Sequence, residues 1–368
     1  MTIAFFDSKR HFEARGADLQ AAVAGVLASG RYIGGPVLSQ FEDAFAEFCG
    51  TRHCVGNANG TAAMHLALLA LTVGPGDEVI TVASTFAATV EAILYTGATP
   101  VLVDADEDTG GLDPKALASA ITDRTKAIVP VHLFGQLGRI ADVLDVATAA
   151  DIPVLEDACQ AHGATALGRR AGSLGTVGCF SFYPAKNLGA CGDAGALVTD
   201  DDDLAAHIRS LLDHGQTMKY RHQYVGFNYR LDSIQAAVLA TRLEDLEREN
   251  AARRALAAIY DEALDDLPLV LPRRDDDDGE VFHLYVVRTP KRDALQDFLK
   301  RHDVETAIHY PVPVHLQPAY ANLGHSEGDF PVAELRASDM LSLPMYPELT
   351  ADEARTVSAR ARQFFTAS

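Results

Sequence analysis

Short apolar runs alternate with helical patterns along the first 200 residues. The pattern predicts strands at 53–56, 78–82, 100–103, 127–131, 152–155, 177–182 and 194–199, and helices at 60–71, 87–95 and 140–149. Strands separated by helices in this way form a mostly parallel sheet that is covered on both faces. Because ligands bind beyond the carboxyl ends of such strands, the residues that follow the strands are the first candidates for a site.

The pattern changes after residue 232. It predicts one long helix at 232–264, a strand at 282–288, a helix at 292–301 and a closing helix at 351–365. A chain of 368 residues is long enough to form two cores. We therefore predict an α/β protein with a large domain over residues 1–245, which includes an N-terminal arm, and a smaller α+β domain over residues 246–368.

Charge and cysteine content narrow the class of protein. The net charge is −20 and the isoelectric point is near 4.9, which argues against binding to nucleic acid or to an anionic membrane surface. The acidic runs 200–203 and 275–278 are typical of solvated loops or a helix start. The five cysteines form no CxxC pair, the 13 histidines show no zinc spacing, and we see no signal peptide. We expect a cytoplasmic protein with reduced thiols and no metal.

Two polar residues stand where predicted strands end. Lys186 lies in FSFYPAKNLGACGDAGALV, between an apolar strand and a glycine-rich turn, where loss of hydration lowers the pKa of an amine. Asp157 follows the strand at 152–155. Alone, such a lysine is more often a solvated loop residue and such an aspartate a helix cap. Together they are the pair that a pyridoxal phosphate enzyme needs, a lysine that binds the cofactor covalently and a carboxylate that keeps the pyridine nitrogen protonated.

Eight sequence runs then point to a family. They are SGRYIGGP, NGTAAMHLAL, GPGDEVITVASTF, VHLFGQ, EDACQAHGA, FSFYPAKNLGACGDAGA, GFNYRLDSIQAAVL and HYPVPVHLQPAY, in this order along most of the chain. The chain resembles the DegT/DnrJ/EryC1/StrS family of sugar aminotransferases. The resemblance implies the aspartate aminotransferase-like fold (fold type I) with a seven-stranded sheet, pyridoxal 5'-phosphate as cofactor with pyridoxamine 5'-phosphate as its amino-carrying form, and a homodimer with shared active sites.

The predicted phosphate site begins at a helix start. Gly60 and Thr61 open the helix at 60–71, where free backbone amides and a hydroxyl suit an anion, although a simple capped helix start has the same pattern. The resemblance implies that Ser181 is a second phosphate ligand. It also implies that Asn228, in GFNYR, reaches the phosphate of the neighbouring subunit, whereas a local turn is the alternative for this asparagine.

The remaining cofactor contacts follow from the resemblance. Phe86 is expected to stack on the pyridine ring, although sequence alone would favour a core residue. Gln160 lies three residues after Asp157 and is expected on the side of the ring hydroxyl.

The predicted substrate residues lie in three segments. His309, Tyr310 and His315 resemble the substrate-facing loop of the family, and prolines stiffen this segment. Tyr183 is expected to face the sugar. Lys219 and Tyr220 belong to the short basic run KYRH, which suits a diphosphate but is also typical of a solvated loop.

The resemblance implies transamination of a keto sugar carried on a nucleoside diphosphate, with L-glutamate as amino donor. Lys186 would then serve as the acid and base that moves a proton. The sequences of the substrate segments most resemble those of family members that act on dTDP-linked 3-keto-6-deoxy sugars. A 4-keto sugar, an inosose-type cyclitol, and a regulatory protein that binds the cofactor without turnover are the alternatives.

Overall fold

The computed structural model describes residues 2–273 and 279–366. The predicted acidic loop at 275–278 therefore lies outside the described residues. Within the described ranges, no helix combines the length and the apolar character needed to cross a membrane. All five cysteines are free thiols.

Seven strands form the central sheet. The strands of the chain are β1 (His53–Asn57), β2 (Glu78–Val82), β3 (Thr99–Val103), β4 (Thr125–Val129), β5 (Leu155–Asp157), β6 (Thr165–Ala166), β7 (Arg169–Arg170), β8 (Val177–Ser181), β9 (Gly195–Thr199), β10 (Gln216–Met218), β11 (Arg221–His222), β12 (Tyr285–Arg288) and β13 (Met340–Leu343). The ladders run β1-β9-β8-β5 and β3-β2-β4, and parallel bridges between Ile128 and Val154 and between Val131 and Asp157 join them. Only β9 is antiparallel to its neighbours in this sheet of the described residues, so the predicted mostly parallel sheet is confirmed.

Helices cover the sheet and build the C-terminal unit. They are α1 (Ser8–Ser29), α2 (Pro36–Cys49), α3 (Gly60–Ala70), α4 (Ala87–Tyr95), α5 (Pro114–Ala120), α6 (Ile140–Ala149), α7 (Asp202–Leu212), α8 (Ser233–Leu243), α9 (Leu246–Leu264), α10 (Arg292–Arg301), α11 (Pro331–Asp339) and α12 (Ala351–Thr366). The acidic run at 200–203 lies at the start of a helix, which was one of the two alternatives predicted for it. Asp201 caps α7 by accepting a hydrogen bond from the amide of Leu204.

The predicted long helix at 232–264 is wrong, because the structure has two helices there. α8 packs against α1 and α2, whereas α9 packs against α12, and the helix is interrupted at residues 244–245 between them. Asp245 stands at the break, where its carboxylate accepts from Arg15 and Arg248. The physical reason is that the two segments bury their apolar faces on different partners.

The predicted strand at 282–288 begins only at Tyr285. Residues before it instead bond to the loop after β4, since the amide of Val281 donates to the carbonyl oxygen of Gly135 at 3.2 Å. The amide of Leu284 likewise donates to the carbonyl oxygen of Phe134 at 3.4 Å. The segment 281–284 therefore ties the C-terminal unit to the edge of the sheet where ligands bind.

The C-terminal unit has its own apolar core, built from α9, α10, α12, β12 and β13. Ile3 belongs to this core, and its backbone bonds to Asp303 and Glu305. The beginning of the chain thus packs on the C-terminal unit, whereas the predicted domain division assigned it to the large domain. The boundary between residues 245 and 246 stays a prediction.

Candidate active site

A cavity of about 640 Å³ opens beyond the carboxyl ends of the central strands. One wall comes from the sheet and from α3 and α4, and the other comes from the segment 281–284 and the loop around residue 309. Ten of the fourteen residues predicted from sequence line it: Gly60, Thr61, Phe86, Asp157, Gln160, Ser181, Tyr183, Lys186, His309 and Tyr310.

Lys186 is presented by a tight loop between β8 and β9. Phe182 anchors the loop in the core, where its ring contacts Phe41 and Phe45 edge-on. The amide of Lys186 donates to the carbonyl oxygen of Tyr183 at 2.8 Å. The loop also needs Gly189, because a Cβ there would lie 2.5 Å from a backbone oxygen. Lys186 is half-buried at the cavity wall, and burial lowers the pKa of its ammonium below the usual value, as the sequence predicted.

Asp157 is the last residue of β5 and is buried. Its Oδ2 accepts a hydrogen bond from Thr89 Oγ1 at 2.8 Å, and Thr89 in turn bonds to Thr85 at 2.8 Å. The backbone amide of Cys159 donates to Oδ1 at 3.3 Å. These donors fix the position of the carboxylate at the end of its strand.

The N-terminus of α3 and the end of β8 form a narrow cradle. A Cβ added at Gly60 would lie 2.8 Å from both Ser181 Cβ and Cys159 Sγ, so only glycine fits. Asn59 caps the helix through its Oδ1, which accepts from the amide of Ala62 at 2.9 Å. The helix start therefore directs backbone amides beside the hydroxyls of Thr61 and Ser181, as an anion site requires.

Aromatic and amide groups complete the cavity above the sheet. Phe86 is 51% exposed at the start of α4, and its ring centroid lies 5.2 Å from that of Tyr310. Gln160 is buried and accepts from the amide of Phe134 at 2.7 Å, while its Nε2 donates to Tyr310 Oη at 3.4 Å. Phe86 is thus an aromatic face directed toward the cavity, not a core residue.

The opposite wall carries neutral polar groups. His309 Nδ1 bonds to Ser342 Oγ at 2.8 Å, and its ring stacks on Phe5 at 5.6 Å. Burial and the charge of Lys186 lower the pKa of His309 to about 4. Burial raises the pKa of Tyr310 to about 12. Both side chains are therefore uncharged at neutral pH.

Four predicted residues do not line this cavity. His315 is buried elsewhere, where its Nε2 bonds to Glu334 at 3.0 Å and its ring packs on Phe330. Lys219 and Tyr220 lie on the exposed β10–β11 hairpin, beside a separate depression of about 470 Å³. Asn228 is exposed between Phe227 and Tyr229, whose rings stack at 4.9 Å. His315 is therefore packed in the interior, whereas Lys219, Tyr220 and Asn228 are exposed at the surface of the chain.

Sequence reasoning missed several groups at the site. His132 and Glu156 form a fully buried pair at 2.8 Å, and Glu156 also accepts from the amides of Gly172, Leu174 and Gly175. Burial opposes ionisation of Glu156, but these donors hold its pKa below the usual value. Thr85 and Thr89 are four residues apart, at the start of a helix that follows a strand. This spacing could have identified them from sequence as partners of Asp157.

These groups fit one cofactor. The glycine cradle at the start of α3 suits a phosphate, Phe86 offers a ring face, the fixed carboxylate of Asp157 suits a protonated pyridine nitrogen, and Lys186 offers an amine with a lowered pKa. The fold and the site together define a fold-type-I enzyme of the pyridoxal phosphate class.

Comparison with known proteins agrees with this class. The model of the DegT/DnrJ/EryC1/StrS aminotransferase family matches residues 13–362. The chain is 42% identical to a "Pleiotropic regulatory protein" of Geobacillus stearothermophilus, with 99% of each chain covered. It is 46% identical to a "dTDP-3-amino-3,4,6-trideoxy-alpha-D-glucose transaminase" of Streptomyces venezuelae, with 98% of this chain and 96% of the relative covered. The crystal structure of S. venezuelae DesV in complex with a ketimine intermediate superposes with a TM-score of 0.97 at 46% identity, covering 99% of this chain and 98% of that one.

The chain belongs to the DegT/DnrJ/EryC1/StrS aminotransferase family. It is a sugar aminotransferase that depends on pyridoxal 5'-phosphate. The fold, the enzyme class and the cofactor expected from the sequence are confirmed. The roles of the individual site residues stay predictions.

Proposed function

We propose that this chain transfers the amino group of L-glutamate to a dTDP-linked 3-keto-6-deoxy sugar, as a cytoplasmic homodimer with shared active sites. The observation that carries the proposal is the pairing, in one cavity, of Lys186 with its lowered pKa and the fixed carboxylate of Asp157. The 46% identity to a transaminase named for a dTDP-linked 3-amino sugar supports the choice of substrate.

Different side chains of this chain would bind the cofactor and transfer the proton. Gly60, Thr61 and Ser181 would hold the phosphate, and Asp157 would hold the pyridine nitrogen. The cofactor supplies an electron sink for the carbon that carries the amino group. Because burial lowers the pKa of Lys186, a larger fraction of its amine is neutral near pH 7. That amine would take the proton from the amino-bearing carbon of the donor and, as an acid, would deliver it to the carbon of the cofactor that receives the amino group.

The opposite wall would hold the sugar. His309 and Tyr310 are neutral and polar, which suits hydroxyl groups better than carboxylates. His309 and Tyr310 line the same cavity as Lys186, so a sugar bound there would be within reach of all three side chains. Gln160, which bonds to both Phe134 and Tyr310, would keep the tyrosine in place.

Exposed residues support a second subunit at the site. Among the described residues of the cavity wall, Lys186 is the only lysine and no arginine is present, so a diphosphate finds little positive charge within one chain. Lys219, Tyr220 and Asn228 are exposed and lie outside the cavity of their own chain. We propose that they serve the site of a partner subunit, where the lysine would face the diphosphate and the asparagine the cofactor phosphate.

Absorbance of the bound cofactor tests the proposal. L-Glutamate should convert the pyridoxal form to the pyridoxamine form and so bleach the band of the lysine-bound cofactor. Addition of a dTDP-linked 3-keto-6-deoxy sugar should restore the band as the amino sugar forms. A dTDP-linked 4-keto sugar, a UDP-linked 3-keto sugar and an inosose serve as comparison substrates.

Each outcome has a definite meaning. Faster recovery with the UDP-linked sugar, the 4-keto sugar or the inosose would overturn the substrate assignment. Absence of bleaching with any amino acid would favour the regulatory alternative, in which the cofactor is bound without turnover. The intact pairing of Lys186 with Asp157 makes that alternative the less favoured one.

A further inference from the structure

His283 lies in the segment 281–284, on the C-terminal wall of the cavity. The side chain lines the cavity and is only 8% exposed. The backbone bonds from Val281 and Leu284 to the loop at 134–135 hold the segment against the sheet. Neither the sequence patterns nor the proposed mechanism assigns a role to this histidine.

The hydrogen bonds of Asn187 determine which ring nitrogen of His283 carries the proton. Asn187 Nδ2 lies 2.9 Å from Asn250 Oδ1 and 3.0 Å from the carbonyl oxygen of Val281, so both of its hydrogens are used. A flipped amide would place Asn187 Oδ1 against that backbone carbonyl, which has no proton to donate. Asn187 Oδ1 must therefore accept, and its partner at 3.2 Å is His283 Nδ1.

Asn250 confirms this direction of hydrogen bonding. Its Nδ2 donates to the carbonyl oxygen of His162 at 2.8 Å, which leaves its Oδ1 as the acceptor for Asn187. Asn187 and Asn250 are both buried, so water does not compete for these bonds. His283 consequently carries its proton on Nδ1, and Nε2 has a free lone pair for a ligand in the cavity.

The imidazole also stays neutral. Burial, and then the positive charge of Lys186, lower the pKa of His283 well below the ordinary value. Nε2 is therefore an acceptor and not a donor throughout the neutral pH range. An acceptor of this kind repels the carboxylates of an amino acid and attracts the hydroxyl groups of a sugar.

We propose that His283 is a specificity-determining residue whose Nε2 accepts a hydrogen bond from a hydroxyl group of the keto sugar. The inference rests on the proposed function, because it requires a sugar in this cavity. The two half-reactions should therefore differ in their dependence on His283, because this side chain contacts the sugar and does not contact the amino acid. Asn187 and Asn250 are then positioning residues that fix the ring of His283.

Two substitutions separate this role from a structural one. In His283→Asn the shorter amide replaces Nδ1 as a donor to Asn187 and removes the atom that faces the cavity. In His283→Gln the longer amide places its oxygen near the position of Nε2 and keeps an acceptor there. We expect kcat/KM of the sugar half-reaction to fall about 10- to 100-fold in His283→Asn and distinctly less in His283→Gln. The half-reaction with L-glutamate should change less than about threefold in both.

A binding measurement gives a readout that does not depend on turnover. The pyridoxamine form and a dTDP-linked 3-amino sugar both carry the amino group, so they form a complex that does not react. Calorimetry should show that the Kd of this complex rises with His283→Asn by the same factor as kcat/KM falls. Nitrogen NMR of histidine-labelled wild-type protein should show His283 protonated on Nδ1.

The results distinguish the two levels of the proposal. An unchanged Kd, an equal loss in both half-reactions, or a proton on Nε2 would overturn the role of His283 and leave the proposed function standing. If the wild-type protein aminates none of the keto sugars, the proposed function fails and this inference fails with it.

Discussion

The two walls of the cavity differ in the charge of their polar side chains and in how those side chains are held in place. The sheet wall holds Asp157 at the end of β5 and Lys186 in the tight loop that follows β8, and ladder hydrogen bonds fix both of these strands. The C-terminal wall holds His283, His309 and Tyr310 on segments without ladder bonds of their own, and side-chain bonds fix them instead. The charged side chains therefore lie on or directly after strands of the central sheet, whereas the neutral polar side chains lie on segments of the C-terminal unit.

The walls also differ in how they respond to burial. On the C-terminal wall, burial holds the two histidines and the tyrosine neutral, with a pKa of about 4 for His309 and about 12 for Tyr310. On the sheet wall, burial lowers the pKa of Lys186 and thereby increases the fraction of its amine that is neutral near pH 7. The same desolvation increases the neutral fraction of a lysine amine on one wall and keeps polar side chains uncharged on the other.

The largest expected effect is on the sheet wall. Lys186→Ala should abolish turnover while leaving the fold intact, because the side chain lies at a cavity and not in the core. Borohydride reduction of the wild-type protein followed by peptide mapping should find the cofactor on Lys186 among the seven lysines of the chain. Cofactor attached to another lysine would overturn the assignment, and circular dichroism of the variant checks the fold.

Asp157→Asn should cost less than loss of the lysine but more than any change on the opposite wall. A charge pair at about 3 Å contributes roughly 5 kcal/mol at an effective dielectric constant of about 20. We expect kcat to fall at least about 100-fold, while cofactor affinity falls less. Asp201→Asn, which keeps its capping role on α7, is the matched control. Near wild-type turnover of Asp157→Asn would require another carboxylate at the pyridine nitrogen.

Asn228→Ala tests whether the sheet wall is completed by a partner subunit. The lost charge-assisted hydrogen bond should weaken cofactor retention by about 1.5–3 kcal/mol. Equilibrium dialysis of the cofactor measures this change. Mixing Lys186→Ala chains with Asn228→Ala chains should restore activity, because one site of the mixed dimer then has both side chains intact.

That mixing experiment has a clear opposite outcome. Absence of recovery, despite subunit exchange shown by differently tagged chains, would mean that Asn228 serves its own chain.

Tyr310→Phe should have a smaller effect, confined to the C-terminal wall. The substitution keeps the ring beside Phe86 and removes a hydroxyl that bonds to Gln160 at 3.4 Å. We expect kcat/KM for the keto sugar to fall about 3- to 10-fold, with little change in the L-glutamate half-reaction. An equal loss in both half-reactions would contradict the proposal that the C-terminal wall binds the sugar and not the amino acid.

The smallest effect concerns the protonation of Lys186. Because its pKa is lowered, the amine becomes neutral at a lower pH than an ordinary lysine amine. In cofactor-free protein, trinitrobenzenesulfonate should modify Lys186 with a pH midpoint below that of the surface residue Lys115, as read by peptide mapping. A midpoint for Lys186 equal to or above that of Lys115 would show that burial does not activate the lysine.

The sequence by itself determined the local elements and the sheet wall. Alternating apolar runs predicted most strands and helices of residues 53–199, because period and length are local properties. They missed α5 and the short strands β6 and β7, and they placed β5 about two residues too early. Lys186, Asp157 and the start of α3 were predictable because residues that follow parallel strands meet at one edge. The cradle at Gly60 follows from that topology, whereas His309 and Tyr310 on the other wall were expected only from the family resemblance.

Only the tertiary structure decided the rest. The break between α8 and α9 depends on which partners each helix packs against, and no local pattern records that choice. His315 shares a sequence segment with His309 and Tyr310, yet its bond to Glu334 turns it away from the cavity. His283 reaches the cavity because of contacts between residues far apart in the chain. Its proton is placed by Asn187 and Asn250, which are 96 and 33 residues away in sequence. Hydrogen-bond direction of this kind arises only when distant segments are packed together without water.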